Sequence, residues 1–180
     1  MIGVLVSGEG TNLQALIDAG LQIAAVVSSK PGVRALERAE AAGVETAIFH
    51  LKDFPSREAR DAAMADWLER RGVDLVVCAG FMYLLRRPFL ERFAGRIVNT
   101  HAGRLPDFPG MHPVEDAIAA GVQETAATVF FVDEGVDTGP VIASEAVPVL
   151  EGDTAESLRL RVQAVEHRIL PEVVRDLCAR

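Results

Sequence analysis

Short runs rich in β-branched residues alternate along the chain with segments in which apolar residues recur every three or four positions. Each run predicts a β-strand, and each periodic segment predicts a helix. The predicted strands are residues 2–6, 23–27, 45–49, 74–78, 96–98, 127–132 and 141–149. Helices are predicted at residues 13–19, 33–42 and 56–70, and a last helix is predicted to begin at an Asp153 cap.

This alternation is typical of an α/β fold. We expect a single doubly wound, mostly parallel sheet of about seven strands, in one domain that spans residues 1–180. Ligands of such sheets bind beyond the carboxyl ends of the strands. The loops that follow Val6, Cys78 and Val98 are therefore the predicted places for a functional site.

Composition and charge limit the classes of partner. The formal net charge of −8, with acidic and basic residues interspersed, argues against nucleic-acid binding, which needs a clustered basic face. No apolar run approaches the roughly 18 to 20 residues of a membrane helix, and the start of the chain lacks the basic segment of a signal peptide. We expect a cytoplasmic protein that does not bind membranes. The two cysteines, Cys78 and Cys178, have no metal-ligand spacing.

The first of these loops, SGEGTN, follows the first predicted strand and precedes a helix. Its glycines allow a sharp turn that points backbone amides outward at the helix N-terminus, which is the geometry of an anion site. Leu13 stands where a dinucleotide-binding loop has its third glycine. We therefore favour one phosphate group bound by the amides of Gly10, Thr11 and Asn12; the alternative is a tight turn with an Asn cap.

The segment after Val98 carries an amide and an imidazole. Period-two alternation predicts that the Asn99 and His101 side chains point to the same side of the chain. Such a pair can donate hydrogen bonds to an acyl-transfer oxyanion. Asp137 is the candidate carboxylate that would keep the imidazole charged. The alternative is that Asp137 caps a turn and that backbone groups satisfy His101.

A nucleophile is missing from these motifs. Neither a Ser nor a Cys occurs on a nucleophile elbow, and no His, Cys or Asp cluster has metal-ligand spacing. If acyl transfer occurs, the nucleophile must come from the substrate, and no metal is required.

Five sequence blocks occur in order over nearly the whole chain: SGEGTNLQALID, AGFMYLL, NTHAGRLPDFPGMH, DEGVDTGPVI and VQAVEHRILP. Together they resemble the glycinamide ribonucleotide formyltransferase family of purine biosynthesis. The resemblance implies a Rossmann-like formyltransferase fold and transfer of a formyl group from 10-formyltetrahydrofolate, as co-substrate, to the amine of glycinamide ribonucleotide. It implies no metal.

The resemblance also implies roles for matching residues. The catalytic residues would be Asn99, His101 and Asp137, and the ribonucleotide phosphate would be held by Gly10, Thr11 and Asn12. Glu166 would position the glycinamide amine. The folate would be held by Arg57 near its glutamate tail and by Met82, Tyr83, Leu84, Leu85, Asn99, Asp133, Glu134, Gly135, Val136 and Asp137.

The chain departs from the family pattern in the loop after His101 and at two single positions. The family usually follows its catalytic His with Pro-Ser-Leu-Leu-Pro, whereas this chain has Ala102, Gly103 and Arg104 before Leu-Pro, so we expect a looser loop. Arg104 is interpreted either as a phosphate contact or as a solvated loop residue. Phe130 and Val114 replace histidines that are common in the family, which affects secondary substrate contacts.

Two other functions fit parts of the same pattern. A formyltetrahydrofolate hydrolase-like enzyme would use water in place of the amine, and a non-catalytic sugar-phosphate-binding module would use the first loop alone. In each case the predicted partners are small molecules, and the chain is expected to be a monomer or a homodimer.

Overall fold

The computed structural model describes residues 1–179, so Arg180, the last residue of the predicted domain, lies outside the described residues. Strands are β1 (Ile2–Val6), β2 (Ile23–Ser28), β3 (Glu45–Ile48), β4 (Leu75–Cys78), β5 (Ile97–His101), β6 (Glu124–Phe131) and β7 (Val141–Pro148). Helices are α1 (Thr11–Asp18), α2 (Arg34–Ala41), α3 (Arg57–Glu69), α4 (Arg87–Leu90), α5 (Pro113–Ala119) and α6 (Ala155–Cys178), with a 3₁₀ turn at Leu51–Asp53.

The seven strands form one sheet in the order β3-β2-β1-β4-β5-β6-β7. Strand β1 pairs in parallel with β2 and β4, and β2 pairs in parallel with β3. Strands β6 and β7 run antiparallel. This arrangement confirms the predicted α/β fold with a mostly parallel sheet of seven strands.

The chain forms two compact units, Met1–Val98 and the segment from Asn99 onward. In the first unit every residue of β1 is buried, as expected for a parallel strand with neighbours on both sides. Gly3 of β1 is close to its neighbours, since a Cβ there would lie 2.9 Å from Cγ1 of Val73. The chain therefore packs a helix-to-strand turn directly against its first strand. The single domain remains a prediction.

In the second unit, α6 packs against β6 and β7. Its buried side chains include Leu158, Val162, Ile169 and Val174. The helix begins after Thr154, whose side chain accepts from the Ser157 N–H at 3.1 Å, while the Ser157 hydroxyl accepts from the Thr154 N–H. This reciprocal capping box replaces the predicted Asp153 cap.

Other boundaries differ from prediction for physical reasons. Strand β5 extends to His101, so the sequence Asn-Thr-His lies within the strand rather than after it. Strand β6 begins at Glu124 because its first residues pair with the end of β7, Glu124 opposite Pro148. Helices α4 and α5 and the 3₁₀ turn were not predicted, because they are too short to show a helical period.

Candidate functional site

The first loop leads from β1 into α1 through Gly10, which has φ 71° and caps the helix without a side-chain hydrogen bond. That backbone conformation favours glycine. A Cβ on Gly10 would also lie 2.6 Å from the Cβ of Ala35, so α2 approaches the loop too closely for any other residue. Thr11 and Asn12 are the first two residues of α1, and the helix cap is Gly10 rather than an asparagine.

The first loop is held on α2 by backbone and side-chain hydrogen bonds. The N–H of Ala35 donates to the Gly8 carbonyl at 3.1 Å, and Arg38 Nε donates to the Glu9 carbonyl at 2.9 Å. The Glu9 carboxylate lies 3.7 Å from a guanidinium nitrogen of Arg34. Glu9 is therefore directed to the basic side chains of α2, which offset the charge it brings to a predicted anion site.

The segment after β4 exposes apolar side chains. Met82 is 60% and Leu84 46% exposed, whereas Leu85 is buried. The N–H of Met82 donates to the Ser7 hydroxyl at 3.0 Å, and Ser7 shares a 2.7 Å hydrogen bond with the buried Ser29 hydroxyl. Ser7 thus ties this segment to the start of the first loop.

Asn99 and His101 lie on β5 with Thr100 between them. The Asn99 side-chain oxygen accepts a hydrogen bond from the N–H of Thr100 at 2.9 Å. This contact fixes the orientation of the Asn99 side chain. Because its oxygen already accepts a hydrogen bond, Nδ2 is the group that can donate one to a ligand.

His101 is buried between two acceptors. Its Nε2 lies 2.5 Å from the carbonyl oxygen of Phe108, and its Nδ1 lies 3.6 Å from Oδ2 of Asp137. Since a carbonyl oxygen only accepts, Nε2 carries the proton of that hydrogen bond. Nδ1 is therefore the ring nitrogen that faces Asp137.

The Asp137 carboxylate is held in place by its own contacts. Oδ2 accepts a hydrogen bond from the N–H of Gly110 at 2.8 Å, and the residue has φ 53°, in the left-handed region. The turn in which it lies is capped by Asp133, whose Oδ1 accepts from the Gly135 N–H and the Thr138 hydroxyl. The Asp137 carboxylate therefore does not cap its own turn and instead faces the His101 imidazole.

The loop after His101 is more tightly packed than predicted. A Cβ on Gly103 would lie 2.6 Å from the Cβ of Pro113 and 3.1 Å from Nε2 of His101. The Gly103 carbonyl also accepts a hydrogen bond from the buried Thr128 hydroxyl at 2.8 Å. The expectation of a looser loop is therefore wrong at this residue, because the missing side chain lets the backbone pack directly.

The other departures from the family pattern have structural explanations. Phe130 and Val114 are 2% and 1% exposed. At both positions an apolar core side chain therefore stands where the family commonly has a histidine. Arg104 forms an ion pair with Glu124, and both side chains are partly exposed. This pairing favours the interpretation of Arg104 as a surface loop residue.

The remaining predicted residues have different environments. Glu166 is 8% exposed on α6, and Arg57 is exposed in the first turn of α3. In the segment from Asp133 to Asp137, Val136 is 47% exposed.

Within residues 1–179, no group of three or more His, Cys, Asp or Glu side chains is placed to hold a metal ion. Among the helices described for those residues, none is long and apolar enough to cross a membrane.

Comparison with known proteins identifies the family. A family model described as formyl transferase matches residues 1–174. The chain belongs to the formyl transferase family. A phosphoribosylglycinamide formyltransferase of Mycobacterium tuberculosis is 45% identical to it, over 97% of this chain and 83% of that protein. The predicted resemblance of the five sequence blocks to the glycinamide ribonucleotide formyltransferase family is thereby confirmed.

Two further similarities concern length and fold. A trifunctional purine biosynthetic protein adenosine-3 of Drosophila melanogaster is 45% identical over 96% of this chain, which spans only 13% of that relative's length. The crystal structure of glycinamide ribonucleotide transformylase 1 from Symbiobacterium toebii superposes with a TM-score of 0.95 and 49% identity, covering 97% of this chain and 85% of that one. Nearly the whole length of this formyl transferase therefore shares its fold with a solved relative.

Two groups at the site were missed by sequence reasoning. The Phe108 carbonyl decides which nitrogen of His101 is available, but a backbone carbonyl leaves no signal in the sequence. Ser7 was assigned no role from the sequence, although a serine directly after a buried strand is a detectable signal.

Proposed function

We propose that this formyl transferase moves the formyl group of 10-formyltetrahydrofolate to the amine of glycinamide ribonucleotide, in purine biosynthesis. The observation that carries the proposal is the arrangement of His101, which is bonded to a carbonyl through Nε2 and faces a carboxylate through Nδ1. The names of the similar proteins that cover most of this chain support the same reaction.

Asn99 and His101 act as hydrogen-bond donors to the formyl oxygen. As the substrate amine forms a bond to the formyl carbon, negative charge develops on that oxygen. Nδ2 of Asn99 and protonated Nδ1 of His101 stabilise this charge more strongly than they bind the neutral carbonyl. The bond from the formyl carbon to N10 of the folate then breaks, and the proton lost by the amine ends on N10.

Asp137 supports the charged imidazole. At 3.6 Å its carboxylate is beyond direct hydrogen-bond range of Nδ1, so it stabilises the imidazolium through charge and leaves the N–H free to turn to the substrate. The same carboxylate can hold a water that carries the proton from amine to leaving nitrogen. Because the nucleophile is an ordinary amine, orientation of the two substrates supplies much of the acceleration.

The proposed ribonucleotide contacts follow from backbone and charge. The glycine turn at Gly10 directs the first amides of α1 toward a phosphate, and the positive end of the helix favours that charge. Glu166, largely buried on α6, orients the glycinamide amine.

The proposed folate contacts combine exposed apolar groups with a cation. Met82, Leu84 and Val136 each leave much of their apolar surface exposed, which suits contact with a flat aromatic ring system. The exposed guanidinium of Arg57 suits the carboxylates of the glutamate tail. A cytoplasmic location and a monomeric or homodimeric state stay predictions.

One assay tests the proposal. The protein is mixed with 10-formyltetrahydrofolate, with and without glycinamide ribonucleotide, and deformylation of the folate is followed by absorbance. Turnover that depends on the amine supports the transferase. Turnover without the amine would indicate a hydrolase, and the absence of turnover with retained phosphate-ligand binding would indicate a binding module.

A further inference from the structure

Helix α3 buries an ion pair that the proposed chemistry does not use. Arg60 and Asp61 both have fully buried side chains, and Arg60 Nε donates to Oδ1 of Asp61 at 2.8 Å. Arg60 Nη2 lies 2.6 Å from the same oxygen. Burial raises the pKa of the Asp61 carboxyl, which the Arg86 N–H and the Arg60 guanidinium oppose.

Both members of the pair contact the residues 81–86, which we call the 81–86 segment. The Arg60 guanidinium carbon lies 4.9 Å from the centre of the Tyr83 ring and 5.6 Å from that of Phe81. Oδ2 of Asp61 accepts a hydrogen bond from the N–H of Arg86 at 2.6 Å. The pair thus contacts the middle of the segment through a cation–π interaction and its end through a hydrogen bond.

Stability alone does not account for this pair. Removing two charges from water costs several kcal/mol per ion, and well-packed apolar residues of similar size are often as stable or more so. Arg60 Nη1 has no hydrogen-bond acceptor among residues 1–179, so the guanidinium is not fully satisfied by its surroundings. Unlike apolar residues, the pair makes directional contacts, which orient the rings of Phe81 and Tyr83 and the backbone N–H of Arg86.

The same helix carries Arg57 one turn earlier, three and four residues before the pair. Residues at these spacings lie on neighbouring positions of a helix face. The pair therefore joins the helix that carries Arg57 to the 81–86 segment, one turn after Arg57 itself.

We infer that Arg60 and Asp61 are positioning residues for folate binding, which hold the apolar side chains of the 81–86 segment in register with Arg57. The inference rests on the proposed function, because it assigns the folate to these residues. Neither Arg60 nor Asp61 contacts substrate; each acts through the segment.

The test combines folate affinity with local protection. Arg60→Met removes the cation from the rings, and the double variant Arg60→Met with Asp61→Asn also removes the unpaired buried acid while an amide oxygen still accepts the Arg86 N–H. We expect the double variant to fold, to bind tetrahydrofolate about tenfold or more weakly by calorimetry, and to show the same rise in KM for 10-formyltetrahydrofolate. KM for glycinamide ribonucleotide should change less than about twofold.

Arg71→Met is the matched control. Arg71 follows α3, lies 3.6 Å over the Trp67 ring and pairs with Glu45, so it has the same chemistry away from the 81–86 segment. It should lower the melting temperature without changing folate affinity. Hydrogen exchange of the peptide that covers the 81–86 segment should rise in the Arg60 variants and not in Arg71→Met.

The outcomes separate this inference from the proposed function. A wild-type protein that binds no folate overturns the proposed function and, with it, the folate role of the pair. An active wild type with a double variant of normal folate affinity overturns the positioning role alone. Equal losses of folate and ribonucleotide affinity would also overturn it, since they would indicate a general structural effect. Rescue of folate affinity by Arg60→Lys, which restores the cation, supports it.

Discussion

Asp137 faces Nδ1 of His101 at 3.6 Å while its Oδ2 is bonded to the N–H of Gly110. In the proposed mechanism the carboxylate acts on a protonated imidazole by charge, at a distance where two unit charges interact by about 4 kcal/mol at an effective dielectric near 20. Part of that energy is offset by desolvation. We expect Asp137→Asn to lower kcat about 10²-fold in the steady-state assay, with little change in melting temperature.

The asparagine is the informative replacement at this position. Asn tolerates the left-handed backbone of Asp137, and its amide oxygen can accept the Gly110 N–H. A variant with near-normal kcat would show that the carboxylate charge is not used. Asp137→Ala, which also loses the hydrogen bond and strains the backbone, should be the less stable of the two.

Removal of the imidazole should separate catalysis from phosphate binding. We expect His101→Ala to lower turnover by about 10²-fold to 10³-fold, the range found when one oxyanion donor is lost. Affinity for glycinamide ribonucleotide, measured by calorimetry, should be largely unchanged. Retention of normal turnover would remove His101 from the mechanism.

The glycine at the start of α1 should be intolerant of any side chain. Gly10→Ala combines a left-handed backbone with a Cβ 2.6 Å from Ala35, so we expect a loss of about 2 to 4 kcal/mol and a melting temperature lower by roughly 5 to 15 °C. Gly8→Ala is the control, because a Cβ at Gly8 meets nothing within 4 Å. Similar melting temperatures for both variants would contradict the steric argument.

The two cysteines should differ sharply in reactivity. Burial raises the pKa of the Cys78 thiol to about 12, whereas Cys178 is exposed. Since the thiolate is the reactive form, native protein should titrate one thiol with Ellman's reagent near neutral pH, and denatured protein two. Two fast thiols in the native state would show that β4 opens readily.

Asp153 should contribute to stability in a pH-dependent way. Hydrogen bonds from Arg161, Leu150 and Ser157 hold its pKa well below the ordinary value of 3.8. A depressed folded-state pKa stabilises the fold above the ordinary value, and this stabilisation is lost as the pH falls through the folded pKa. We expect Asp153→Asn to melt below wild type at neutral pH.

The difference in melting temperature should narrow on acidification below about pH 4, where Asp153 is protonated first in the unfolded chain and, at still lower pH, in the folded protein. The exposed loop residue Asp107 provides the control, and Asp107→Asn should leave the melting temperature nearly unchanged at neutral pH. A constant difference between Asp153→Asn and wild type across the acidic range would exclude charge as its cause.

Long periodic segments and buried strands were predictable from the sequence because burial dictates their residues. β1 is apolar throughout and was predicted at its observed bounds. The predicted proximity of His101, at the end of β5, to Asp137 is also observed. Helix α4, with four residues, is shorter than the period needed to detect it. The hydrogen bond of His101 to Phe108 depends on the path of a loop, and the contact of Arg60 with two aromatic rings depends on tertiary packing.

The absence of a side chain at Gly103 limits how this loop can be exchanged among relatives. A serine grafted there from the family's usual Pro-Ser-Leu-Leu-Pro would bring its Cβ to 2.6 Å from Pro113 and 3.1 Å from the ring nitrogen that binds Phe108. The donor loop would therefore have to be transplanted together with the start of α5. On steric grounds, any side chain at residue 103 therefore requires a change in the position or identity of Pro113.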